Sequence, residues 1–103
     1  MEGSGGDKAG KAVVLRVDAD HCAETAAKRE YARLAEEYLR GSGRLGEGEY
    51  EYRLDLLREF LERTDFPALR RECEGLLHRC GVLSVRVFRG ERGEVACRLQ
   101  PGE

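Results

Sequence analysis

From position 12 to position 17 apolar residues fall on alternate sites: Val13, Leu15 and Val17 on one side, Ala12, Val14 and Arg16 on the other. That period of two is the mark of a strand with one buried face. It returns over Val82 to Arg89, where Leu83, Val85 and Val87 alternate with Ser84, Arg86 and Phe88, and again at Val95, Cys97 and Leu99. Gly90-Glu91-Arg92-Gly93 joins the last two runs. A glycine at each end of this charged turn takes a positive φ without a Cβ clash, so the pair reads as an antiparallel hairpin. A lone hairpin is marginal, and the early strand completes a sheet of three.

Between the strands the period becomes helical. Asp18 and Asp20 are N-cap candidates for a first helix that runs to about Arg40 with Ala27, Tyr31, Leu34 and Tyr38 on one stripe. Four glycines within positions 41–48 break it and predict a flexible loop. Glu49 to Arg63 is the second helix, with Tyr50, Leu54, Leu57 and Leu61 on a stripe widened by Leu56 and Phe60. Thr64-Asp65-Phe66-Pro67 restarts the chain, and the third helix carries Phe66, Leu69, Cys73, Leu76, Leu77 and Cys80 before Gly81 closes it as a C-cap. Gly75 inside that helix costs about 1 kcal/mol against alanine, a position where another backbone often comes close.

The order β-α-α-α-β-β predicts an α/β (α+β) fold, a two-layer sandwich with three helices on one face of a three-stranded sheet. The chain's 103 residues suffice for one domain, over 12–100, behind a Gly-rich flexible tail at 1–11. Three helices packed antiparallel return the chain parallel to its start. The first strand is therefore expected to pair parallel to 82–89 or antiparallel to 94–99.

A formal net charge of −2, with 37% of residues charged, argues against a nucleic-acid binder that works through bulk positive charge. Of the 18 basic residues only Lys8, Lys11 and Lys28 are lysine, a bias of the kind G+C-rich coding produces. No apolar run approaches the roughly 20 residues of a membrane span, and Met1 to Lys11 holds no signal-peptide core, so a cytoplasmic chain with no membrane contact is expected. Its four cysteines should then be thiols.

Candidate chemistry is sparse. His21-Cys22, with Lys28 six residues past the cysteine, is a near miss of the tyrosine-phosphatase pattern. The intervening Ala-Glu-Thr-Ala-Ala has no glycine to turn backbone N–H groups inward, and lysine stands where the bidentate arginine belongs. Cys22 is still the one catalytic candidate, because a thiolate in a helix's first turn is stabilised by its dipole. Cys73, His78 and Cys80 are zinc-type donors, but in a continuous helix the two cysteines stand about 10 Å apart along the axis, against the ~4 Å between sulfurs on one zinc. No metal and no cofactor is expected. The glycine-rich stretch lacks the GK[ST] ending of a phosphate loop. Glu51 and Asp55, one turn apart, read as a solvated helix face.

The remaining candidate is a surface. If the apolar rows face the helices, the other side of the sheet gathers Arg16, Arg86, Phe88 and Arg98, a basic face with one aromatic. It predicts a partner-binding surface, and Phe88 as an anchor. The expected function is a non-enzymatic protein-interaction or regulatory module that self-associates through this face or a sheet edge. A nucleic-acid accessory module on the same face is the alternative, and a cysteine-dependent enzyme the third reading.

Overall fold

In the computed structural model, which describes residues 12–41 and 43–102, the alternating runs are strands β1 (Val13–Asp18), β2 (Val82–Arg89) and β3 (Val95–Pro101). The periodic runs are helices α1 (Ala23–Arg40), α2 (Glu47–Arg63) and α3 (Phe66–Cys80). The tail expected at 1–11 lies outside the described residues. All three helices lie on one face of a three-stranded antiparallel sheet, the expected two-layer α/β architecture.

The sheet order is β1-β2-β3. Neither expected pairing of the first strand is correct: β1 runs antiparallel to β2, with Val13 opposite Val87 and Val17 opposite Leu83. The reason lies at the corner before α3. Asp65 accepts a hydrogen bond from the Ala68 N–H at 3.2 Å, Pro67 sits in the first turn, and Phe66 packs edge-on against Phe60 with ring centroids 5.3 Å apart. After this corner α3 does not extend the α1–α2 hairpin but lies on β2, β3 and α1. The chain thus enters the central strand from the opposite end to that of a regular up-down-up helix layer.

The buried rows are those the alternation names. Val13, Leu15 and Val17 of β1 and Leu83, Val85 and Val87 of β2 are sealed beneath Leu34, Leu56, Leu57 and Phe60. On β3 the corresponding Val95, Cys97 and Leu99 are only half-buried, since the helical layer ends short of that edge.

Local signals decide the ends of elements. Asp18 and Asp20 do not cap α1. Asp18 instead folds a tight turn, accepting from the N–H groups of Asp20 and His21 at 2.9 Å each, and Cys22 becomes the N-cap. The loop after α1 is shorter than the glycines suggest, because α2 begins at Glu47, where Glu47 and Glu49 suit the positive end of the helix. Within it, Gly43 lies so close to the Tyr50 side chain that a Cβ there would stand 1.3 Å from the hydroxyl oxygen. Gly81 ends α3 at φ 77°, as expected of a C-cap glycine. Gly93 has the positive φ expected of the hairpin turn, but Gly90 does not; at Gly90 the Glu94 carboxylate occupies the space of a Cβ. Gly75 borders open space, so no backbone approaches it.

One cross-link fastens two helices to each other and another fastens the sheet to the helices. Tyr38 donates to Glu51 and Tyr50 to Glu37, each at 2.8 Å, with the two rings tilted against one another, so α1 and α2 are stitched in both directions. Arg89 at the end of β2 donates to Glu59 and to the Gly93 carbonyl at 2.8 Å, and to Asp55 at 2.9 Å. One guanidinium thereby ties the hairpin turn to α2.

Candidate functional site

The antiparallel register builds the helix-free face row by row. Val14, Arg86 and Arg98 stand side by side across the three strands, Arg16 lies beside Ser84, and Phe88 lies beside Ala96. Arg16, Arg86, Phe88 and Arg98 therefore share one face, with Val14 55% exposed among them. Phe88 is half-buried, and the Arg98 guanidinium lies over its ring at 5.6 Å from the centroid. The diagonal offset between antiparallel strands makes this contact possible, and a cation over a ring face is favourable.

A second concentration of chemistry lies at the other end of the sheet, where β1 hands over to α1. Cys22 is half-buried, with its sulfur 3.3 Å from the Thr25 hydroxyl. The Thr25 hydroxyl, the N–H groups of Thr25 and Glu24, and the charge of Arg70 together hold this thiol below its ordinary range, against a partial burial that raises it. No backbone N–H makes a full capping bond with the sulfur, but the first turn is near enough to favour the thiolate. Two grooves meet at Cys22. One passes between the starts of α1 and α3 along Phe66, Pro67 and Arg71. The other is floored by Cys73 and bounded by Asp18, Leu77 and His78. Arg70 and Glu74 of α3 border both.

Cys73 is buried, and burial pushes its thiol up, with Cys97, then Glu72, then Cys22 near enough to add to the shift. Cys97 is raised by burial as well. By its spacing Cys80 falls on the apolar stripe of α3 with Cys73 and is expected in the core, but it is not there. It is exposed, and its thiol donates back to the Leu76 carbonyl at 3.2 Å. The apolar stripe of α3 runs past the core at its C-terminal end, so seven residues of correct periodicity bring Cys80 to solvent instead. His78 is exposed too, and among the described residues no three His, Cys, Asp or Glu side chains converge as metal ligands.

Sequence reasoning passed over Thr25, Arg70 and Arg89. Thr25 and Arg70 carry no motif: Thr25 meets Cys22 within the first turn of α1, whereas Arg70 becomes relevant only because α3 crosses the start of α1. Glu51 and Asp55 do not act as a pair: Glu51 accepts from Tyr38, and Asp55 binds Arg58 and Arg89.

A protein-family model matches residues 12–93, from the approach to β1 through to the hairpin turn. The chain belongs to this family. A relative within reach of direct comparison, an uncharacterized protein of Archaeoglobus fulgidus, is 42% identical over 59 residues, which are 57% of this chain and 68% of the relative. No solved structure matches the chain. The family match includes Cys22, Cys73 and the whole of β2, and it stops before β3. No helix among the described residues is long and apolar enough to cross a membrane.

Proposed function

We propose that this protein is a non-enzymatic interaction module that pairs with a second copy of itself along β3. The observation that carries the reading is the uneven cover of the sheet. Its β1 and β2 rows are sealed by helices, whereas Val95, Cys97 and Leu99 stay half-covered beside a strand edge that no strand among the described residues pairs with. A second copy's β3, laid antiparallel, continues both the ladder and the apolar row. Of the two routes for self-association, face and edge, charge favours the edge. Stacking two open faces sets Arg16 and Arg98 against the same two arginines, while the core-side row of β3 carries no charge.

The basic face is then left as the surface for a partner with acidic side chains. Nucleic acid is the weaker occupant, because Arg98 already lies over the Phe88 ring and a base would have to displace it before stacking. Sedimentation at micromolar concentration is expected to give a concentration-dependent dimer. Leu99→Lys places a charge on the pairing row and is expected to leave a monomer with an unchanged circular dichroism spectrum. Phe88→Ala is expected to leave the dimer intact. A wild-type monomer at high micromolar concentration overturns the pairing, and loss of the dimer in Phe88→Ala moves it to the open face.

A further inference from the structure

The grooves at Cys22 play no part in self-association along β3, yet they gather two thiols from separate elements, a hydroxyl and a guanidinium. We propose that Cys22 is a site of oxidation by hydroperoxides and that Cys73 resolves the product as an intramolecular disulfide between α1 and α3.

The arrangement supplies each part of that chemistry. Cys22 stands at the N-cap of an 18-residue helix, half-open to a groove, with the Thr25 hydroxyl 3.3 Å from its sulfur. Thiolate, not thiol, is the nucleophile, and these surroundings favour it. Arg70 lines both grooves that meet at the sulfur. It pairs with Glu74 through Nε at 3.5 Å, an exposed pair that leaves the rest of the guanidinium fork to meet the negative charge that develops as a peroxide O–O bond breaks. Cys73 lines one of the same grooves from α3, one turn beyond Arg70, and is buried enough to be shielded from peroxide itself.

The steps balance. The Cys22 thiolate attacks one oxygen of the hydroperoxide, an S–O bond forms and the O–O bond breaks. The leaving alkoxide or hydroxide takes up a proton to become alcohol or water, so the sulfur loses two electrons to the peroxide and is left as a sulfenic acid. The Cys73 sulfur then attacks the Cys22 sulfur. The S–S bond forms, the S–O bond breaks, and the hydroxyl departs as water with the Cys73 proton. A thiol reductant returns both cysteines by exchange.

Cys80 is the internal control, because it is the more exposed thiol and lacks the helix N-terminus, the hydroxyl and the arginine. Treatment of the full chain with hydrogen peroxide near neutral pH, followed by peptide mapping, is expected to yield a Cys22–Cys73 disulfide within the monomer. In Cys73→Ala, a sulfenic-acid trap is expected to label Cys22, on the order of tenfold faster than it labels Cys80. Thr25→Val is expected to slow that labelling and to raise the pH at which Cys22 alkylation reaches half its maximum rate, without change in the fold. Oxidation that begins at Cys80, or that joins chains through Cys80 while Cys22 and Cys73 stay reduced, overturns the proposal. So does Cys22 labelling that is indifferent to Thr25→Val. A Cys22 sulfenic acid that persists in the wild-type chain overturns the role of Cys73. Each readout is independent of whether the chain dimerises through β3.

Discussion

Gly43 is held in place by one side chain. The Tyr50 ring and hydroxyl fill the space of a Cβ, and Tyr50 is itself pinned by burial and by its bond to Glu37. Gly43→Ala is therefore expected to destabilise the fold by roughly 1–3 kcal/mol, as overpacking does, measured by urea denaturation; a neutral result shows that the loop yields instead of Tyr50. The thiols give a second test at this scale. Cys73 and Cys97 resist ionisation in the fold, so on raising the pH through the ordinary thiol range the unfolded chain loses those protons while the folded chain keeps them. Stability then falls with rising pH. Cys22 has the opposite sign: its folded thiol ionises first, adding stability as the pH climbs from its lowered value to the ordinary one. Replacing Cys73 and Cys97 together with alanine is expected to flatten the alkaline decline in the thermal midpoint, and Cys22→Ser to steepen it.

At the scale of elements, Gly75 offers the plainest test. Its helix carries it against open space, so Gly75→Ala is expected to stabilise the chain by about 1 kcal/mol through helix propensity alone; a loss of stability points to an approach that the fold does not contain. The same position marks what can be read from sequence. Periodicity tells which face of an element is apolar, and Leu83, Val85, Val87, Leu34 and Leu57 all lie where it puts them. It does not tell how far the covering layer extends. Cys80 keeps its stripe and reaches solvent, while Cys97 and Leu99 keep theirs and stay half-covered. Strand direction was illegible for a related reason, since it depends on the angle at which α3 leaves Phe66-Pro67, a matter of tertiary packing at a corner where Phe66 meets Phe60 edge-on. The basic face was legible because the side-chain period of a strand is two in either direction, so Arg16, Arg86, Phe88 and Arg98 meet whichever way β1 runs. The surroundings of Cys22 were legible only in part. Its place at a helix start is local, but Arg70 reaches it from 48 positions away in the chain.

For the molecule as a whole, Arg89 is the joint between layers: one side chain holds α2, the end of β2 and the turn into β3. Its three acceptors are partly exposed, so each bond is modest, but they share one fork and lose it together. Arg89→Met is expected to cost about 1–2 kcal/mol by denaturant melts and to speed hydrogen exchange in β3 more than in β1. Uniform exchange across the sheet excludes Arg89 as the joint.

The pairing of β1 with β2 also governs when this chain can fold. On the ribosome, β1 emerges early and waits for its strand partner until all three helices have followed, because every rung from Val13–Val87 to Asp18–Val82 spans the entire helical insert. Closing so long a loop is entropically costly and slow, whereas α1 and α2 meet through near neighbours in the chain. The helical hairpin is thus the first unit able to assemble, with Leu34, Leu56, Leu57 and Phe60 bare until the strands arrive. A nascent chain arrested before Val82 presents that surface to any chaperone within reach, and one released a few residues after Arg89 can already cover most of it.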